Sequence, residues 1–185
     1  MQHTSATLAM GITLLLTGNS GVILSVDEDM QPGQGMDQSV FTGTIKGIDP
    51  TAYSGSKAIH IYLGAQRAFL TDSGAVVKTY RISSGAPSTP TPRGVFQIYK
   101  KQDLRVSSQE VPYRMPNYMA FTKNRAFGLH GLPYLGSSRE NSAYWNEAQD
   151  HIGTPVSHGC VRFLPHEAVE IYEWAEVGVP VFIEK

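Results

Sequence analysis

The stretch PVSHGCVRF, Pro155 to Phe163, holds the only cysteine of this 185-residue chain. His158 stands two places before Cys160, Gly159 just before it and Arg162 two places after. A thiol attacks as the thiolate, and a free cysteine is ionised only in small part at neutral pH. A histidine beside the sulfur removes that handicap by taking the proton. Two are candidates: His158, in the same bend, and His130, in FGLHGLP. His130 falls at the end of an expected strand, where a scaffold holds a catalytic group rigidly and still leaves it reachable. Gly159 lets a substrate carbonyl approach the backbone, and the N–H groups of Gly159 and Cys160 are candidate donors to an oxyanion. These parts suit acyl transfer. The plain alternatives are an inert buried thiol and a metal site from His130, His151, His158 and Cys160, whose spacing fits no familiar zinc pattern.

The elements around these residues read mainly as strands. KAIHIYL places Ile59, Ile61 and Leu63 on one face, with His60 and Tyr62 on the other. QRAFLT, the turn at Asp72 to Gly74 and AVVKTYRI read as a β-hairpin. The proline-rich GAPSTPTPRG, Gly85 to Gly94, is a stiff loop leading into the strand VFQIY. YMAFT and AFGLH are further short strands. In LPHEAVEIYEWAEV, Ala168, Ile171, Tyr172 and Ala175 share a helical face, Pro165 suits a first turn, and Gly178 is expected to stop the helix before the strand VPVFIE. The pattern is that of a mostly-β sandwich or barrel-like domain.

Composition narrows the partners. A net charge of −1 leaves no basic surplus to neutralise a phosphate backbone, so no nucleic acid is expected. One cysteine excludes an intrachain disulfide and any CxxC ribbon. The first 45 residues contain no Lys or Arg. Leu8 to Leu16, LAMGITLLL, is similar to the apolar centre of a signal peptide, without its charged start. Residues 1–43 therefore read as a leader or N-terminal tail and linker, which leaves membrane association through that segment open, and residues 44–185 as the folded domain.

SHGCVRF closely resembles the S/T-H-G-C-x-R signature of the L,D-transpeptidase catalytic domain, a family of bacterial cell-wall enzymes. ISSGAPSTPTPRGVFQI, MPNYMAF, FGLHG and WAEVGVPVFI are similar to further segments of that family. The resemblance implies a mostly-β, sandwich or barrel-like domain of the L,D-transpeptidase type with one or two short helices. It implies that Cys160 is the nucleophile, that His130 is its base, and that the carbonyl of Gly131 orients the imidazole. His158, Gly159 and Cys160 would supply the oxyanion segment. Ser157 and Arg162 would brace this loop, Arg162 also being placed to meet a substrate carboxylate, and Met115 and Tyr118 would line the groove.

The resemblance further implies transfer between peptidoglycan stem peptides, donor and acceptor, through a thioester that ends in a cross-link between third residues. No cofactor and no metal are expected, and carbapenems would acylate Cys160. The expected setting is the periplasm or cell envelope, and the expected state a monomer. One departure is the longer gap between His130 and Cys160. Its tyrosines and tryptophan, Tyr144 and Trp145 among them, read as an enlarged lid over the cleft with a helical turn near Ser142 to Ala148. Asn117, where the family often has an aromatic, is a smaller one. The rival readings are an L,D-carboxypeptidase on the same scaffold, a sortase-like transpeptidase and a non-catalytic cell-wall-binding module.

Overall fold

The structure, a computed structural model, describes residues 57–185. The expected leader and linker, and residues 44–56, lie outside them. Strand β1 (Lys57–Tyr62) forms where the alternation predicts it. It pairs antiparallel with β2 (Arg67–Asp72), and β2 turns through Ser73 and Gly74, both at positive φ, into β3 (Ala75–Arg81). On its other side β1 runs parallel to the last strand, β10 (Pro180–Glu184), which pairs with β4 (Gly94–Gln97). The first sheet is thus ordered β3-β2-β1-β10-β4. The outer side of β1 is covered as well: His60 is 3% exposed, stacked on Phe182 and within 3.2 Å of Thr71 Oγ1.

VFQIY does not end as a single strand. Ile98 N–H donates to Val179 O in the first sheet, and Tyr99 N–H donates to Ala120 O in the second. The chain therefore changes sheets between them and continues as β5 (Lys100–Val106). The polar KKQDLRV gave no apolar alternation to read, as an edge strand need not. The second sheet is β5, β6 (Tyr113–Ala120), β7 (Gly128–Gly131) and β9 (Val161–Phe163) in that order, with the short β8 (Tyr134–Leu135) paired to the start of β6. The two sheets form a β-sandwich. Ile59, Ile61 and Val181 from the first and Met119, Leu129, Val161 and Phe163 from the second share one buried core.

Two helices complete the domain. α1 (Ala143–Asp150) lies in the long insertion, with Ser142 before its first turn. α2 (Pro165–Trp174) turns Ala168 and Ile171 into the core and packs on β6, β7 and β9. The Glu167 carboxylate accepts the Leu164 N–H at 3.1 Å, satisfying a donor that the first turn leaves without a helical partner. α2 ends at Trp174, earlier than the expected stop. Gly178, at φ 98°, instead turns the chain into β10, where its N–H donates to Ile98 O.

One irregularity positions the site. Asn117 sits inside β6 at φ 52°. In a regular strand Pro116 would lie across from its neighbours and share a face with Tyr118. Here the Pro116 Cβ lies by Gly131, on the side where Ala168 of α2 packs, whereas the Tyr118 ring lies over Gly128 and beside His130. The left-handed residue breaks the alternation, and asparagine tolerates that conformation better than most residues. Replacing Asn117 by Val should therefore lower stability by about 1–2 kcal/mol, while Asn117→Gly should stay within about 0.5 kcal/mol of the parent. Urea unfolding of the two variants checks this; equal losses would show that the side chain matters rather than the backbone angle.

Candidate active site

The register of β7 and β9 assembles the site. They run parallel, pairing Leu129 with Val161 and His130 with Arg162. Residues paired across a sheet share a face, and so do residues two apart along a strand. Continued one step back, that register brings Cys160 beside Gly128, on the face that carries His130. The Gly128 N–H hydrogen-bonds to the Cys160 thiol and favours its ionised form. The sulfur is therefore held against the strand that ends in His130.

His130 is 2% exposed. Its Nδ1 lies 2.6 Å from the carbonyl oxygen of Gly131. A carbonyl only accepts, so Nδ1 carries the proton and Nε2 is left with a lone pair. Burial, followed by the nearby charge of Arg162, lowers the imidazole pKa to about 3, although the bond to Gly131 works in the opposite direction. Burial pushes the Cys160 thiol up, against the Gly128 N–H and the charges of Arg162 and Arg105. Both shifts favour the neutral forms, thiol and imidazole, over the ion pair.

The bend before the cysteine requires a glycine. Gly159 has φ 105°, and a Cβ there would lie 2.4 Å from the Phe127 ring. Ser157, 1% exposed, closes the bend: its Oγ accepts the Gly159 N–H at 3.0 Å and donates to the Cys160 carbonyl at 2.5 Å. The Gly159 N–H is thus engaged by Ser157 rather than left free as the oxyanion role expected of it would require. The proline-rich loop bolts this bend to the sandwich. Ser157 N–H donates to Ser84 O, Ala86 N–H and Thr89 Oγ1 donate to Ser157 O, and Ser83 exchanges both backbone hydrogen bonds with Arg162. Arg162 is 5% exposed, so it belongs to the wall of the site rather than its mouth.

Tyr118 is also interior, at 1% exposed. Its ring lies 6.0 Å from that of His130, centroid to centroid, and occupies the space a Gly128 side chain would fill. Its hydroxyl donates to Arg125 O at 3.2 Å. Met115, half-buried on β6, pairs with Arg105 of β5, whose guanidinium lies 4.6 Å from the Tyr118 ring centroid. Sequence reading missed Arg105, because β5 carries no pattern that marks it. His158 is exposed, unlike His130. Trp145 is half-buried on α1 with the Arg139 guanidinium 5.4 Å from its ring centroid; of Tyr144 only the helical backbone is described. Leu132 and Ala148 are fully buried, so the insertion is packed into the domain rather than hung on it. Among the described residues, no group of three His, Cys, Asp or Glu side chains is gathered to hold a metal, and no helix is long and apolar enough to cross a membrane.

A family model described as the L,D-transpeptidase catalytic domain matches residues 56–183. The Bacillus subtilis (strain 168) protein YkuD is 26% identical over 167 residues, covering 90% of this chain and 87% of that protein. Among solved structures, an L,D-transpeptidase from Mycobacterium smegmatis superposes with a TM-score of 0.57 at 20% identity, covering 70% of this chain and 59% of that one. The L,D-transpeptidase LdtMt1 in complex with imipenem gives 0.57 at 22%, again over 70% of this chain and 59% of the other. This chain thus spans about six tenths of those two solved chains.

A neutral resting pair has a kinetic signature. With burial holding the thiol above its ordinary range, alkylation by iodoacetamide should be slow at neutral pH and climb as pH rises beyond about 8.5. A preformed thiolate–imidazolium pair would instead react fast and evenly from about pH 5 to 8. Following Cys160 modification by intact mass across that range distinguishes the two.

Proposed function

The chain belongs to the L,D-transpeptidase catalytic-domain family, and on that premise we propose that it transfers acyl groups between peptidoglycan stem peptides through a thioester on Cys160. The observation that carries this reading is the meeting of three parts. The single thiol sits at the end of a glycine bend. It is hydrogen-bonded to the strand that bears His130. That histidine is buried with Nδ1 engaged and Nε2 left as a base.

Cys160 Sγ attacks the carbonyl of the third residue of a donor tetrapeptide, a diamino acid linked to a terminal D-alanine. The thiol proton passes to His130 Nε2 as the S–C bond forms, since the separated ions are unfavourable in this setting. The Cys160 N–H supports the oxyanion. The tetrahedral intermediate collapses, the C–N bond breaks, and His130 gives its proton to the departing D-alanine amine. An amine of a second stem then attacks the thioester and passes its proton to His130. Collapse expels the sulfur, which takes the proton back. Gly131 holds the ring in one tautomer throughout, so Nε2 is the shuttle in both halves. The substrate class sets the place of action in the cell envelope.

Imipenem, the ligand bound in LdtMt1, is a direct probe. Intact mass should show one adduct on the wild type and none on Cys160→Ala. His130→Ala should slow adduct formation about 10²–10⁴-fold at neutral pH while the variant remains folded by circular dichroism. An unmodified wild type, folded by circular dichroism, would overturn the reading. With a tetrapeptide donor and an acceptor amine the expected product is the cross-linked peptide; release of D-alanine without cross-linking would assign the chain to the carboxypeptidases instead.

A further inference from the structure

Arg105 has no role in the chemistry above, and its setting is unusual for a surface cation. It is half-buried on β5, and its guanidinium lies 4.6 Å from the centroid of the Tyr118 ring, whose own neighbour is His130. Among the described residues no carboxylate pairs with it, unlike Lys57, which meets Glu176, and Lys78, which meets Glu170. Its charge reaches Tyr118, His130 and Cys160 alike. Arg162 bears on the last two as well, and among the described residues no acidic side chain offsets the two cations there. The site is therefore electropositive, with one cation, Arg162, buried and the other, Arg105, half-buried.

A guanidinium held 4.6 Å from a ring centroid, with no carboxylate of its own among the described residues, keeps N–H donors for an arriving anion. Their fork matches a carboxylate and is fixed in advance, so little freedom is lost on binding. Tyr118 lies on β6 and Cys160 beside β7, at the head of β9. Two strand spacings are about 10 Å, a span of about three extended residues that the long arginine side chain shortens. The device also explains the kink at Asn117: Met115 and Arg105 form the strand pair just beyond it, and the break in alternation gives that pair access to Tyr118's side.

We propose that Arg105 binds a free carboxylate of the donor stem peptide and thereby sets which donors the enzyme accepts. The inference rests on the stem-peptide reading and deepens it. Two groups could supply that carboxylate: the C-terminus of the leaving D-alanine, or a side-chain carboxylate of the third residue where it carries one. Binding there would also neutralise one of the two cations that disfavour a proton on His130, so occupation of the donor site would strengthen the base.

The test is a cycle of enzyme and substrate changes. Arg105→Gln keeps much of the packing on Tyr118 and removes the charge. It is assayed with a donor bearing both carboxylates, with the C-terminus amidated, and with the side chain amidated. For the full donor, kcat/KM should fall about 10- to 100-fold, chiefly through KM. Amidating the recognised carboxylate should cost the wild type a similar factor, and the variant nothing further. Which amide removes the penalty identifies the group. Arg105→Lys should recover part of the loss. An equal penalty on all three donors would overturn the proposal and make Arg105 a support for Tyr118; so would no penalty on any. Iodoacetamide reactivity of Cys160 reports on the site without a donor. A wild type that alkylates normally but turns over no donor would bring down the stem-peptide reading itself, and this inference with it.

Discussion

The hydrogen bond from His130 Nδ1–H to the carbonyl of the next residue, Gly131, is the constraint on which the site depends. It is local, yet it works only because β7 is clamped on both edges, by β6 and by the parallel β9. Gly131 is closely packed there: a Cβ would lie 3.2 Å from that of Ala168 and would need it to give by a few tenths of an ångström. α2, which presses Ala168 onto that position, therefore helps to fix the carbonyl that fixes the imidazole. A carbonyl in this role differs from a carboxylate. It orients the ring but adds no full negative charge, so the imidazole remains a weak base and the resting thiol keeps its proton.

The electrostatics follow from the same architecture. Burial works against charge on both partners, raising the thiol and lowering the imidazole. The arginines favour a thiolate but disfavour an imidazolium. The charges around the pair thus favour negative over positive charge. The bend carries the matching backbone economy. Ser157 satisfies the Gly159 N–H and the Cys160 carbonyl at once, so the loop is closed by its own groups.

Much of this was legible in the chain. Alternation in KAIHIYL, the Asp72–Gly74 turn and the helical spacing from Pro165 gave the first hairpin and α2. The SHGC bend and the HG pair gave the candidate sulfur and imidazole. What stayed hidden depended on register or on long-range contacts. β5 is an edge strand of polar residues, so neither its existence nor Arg105 had a periodic signal. The break at Asn117 is a single backbone angle, visible in sequence only as an unexpected residue type. The end of α2 at Trp174 is set by the turn into β10, not by Gly178 alone. The engagement of Gly159 by Ser157 needed the closed bend to be seen.

Nitrogen-15 NMR of histidine-labelled protein, with His130 identified by its absence from the His130→Gln spectrum, addresses the central claim most directly. The account predicts a neutral ring protonated at Nδ1 and bare at Nε2, unchanged from about pH 8 down to about pH 5. A proton on Nε2 in the neutral ring, or an imidazolium already present near pH 6, would contradict it.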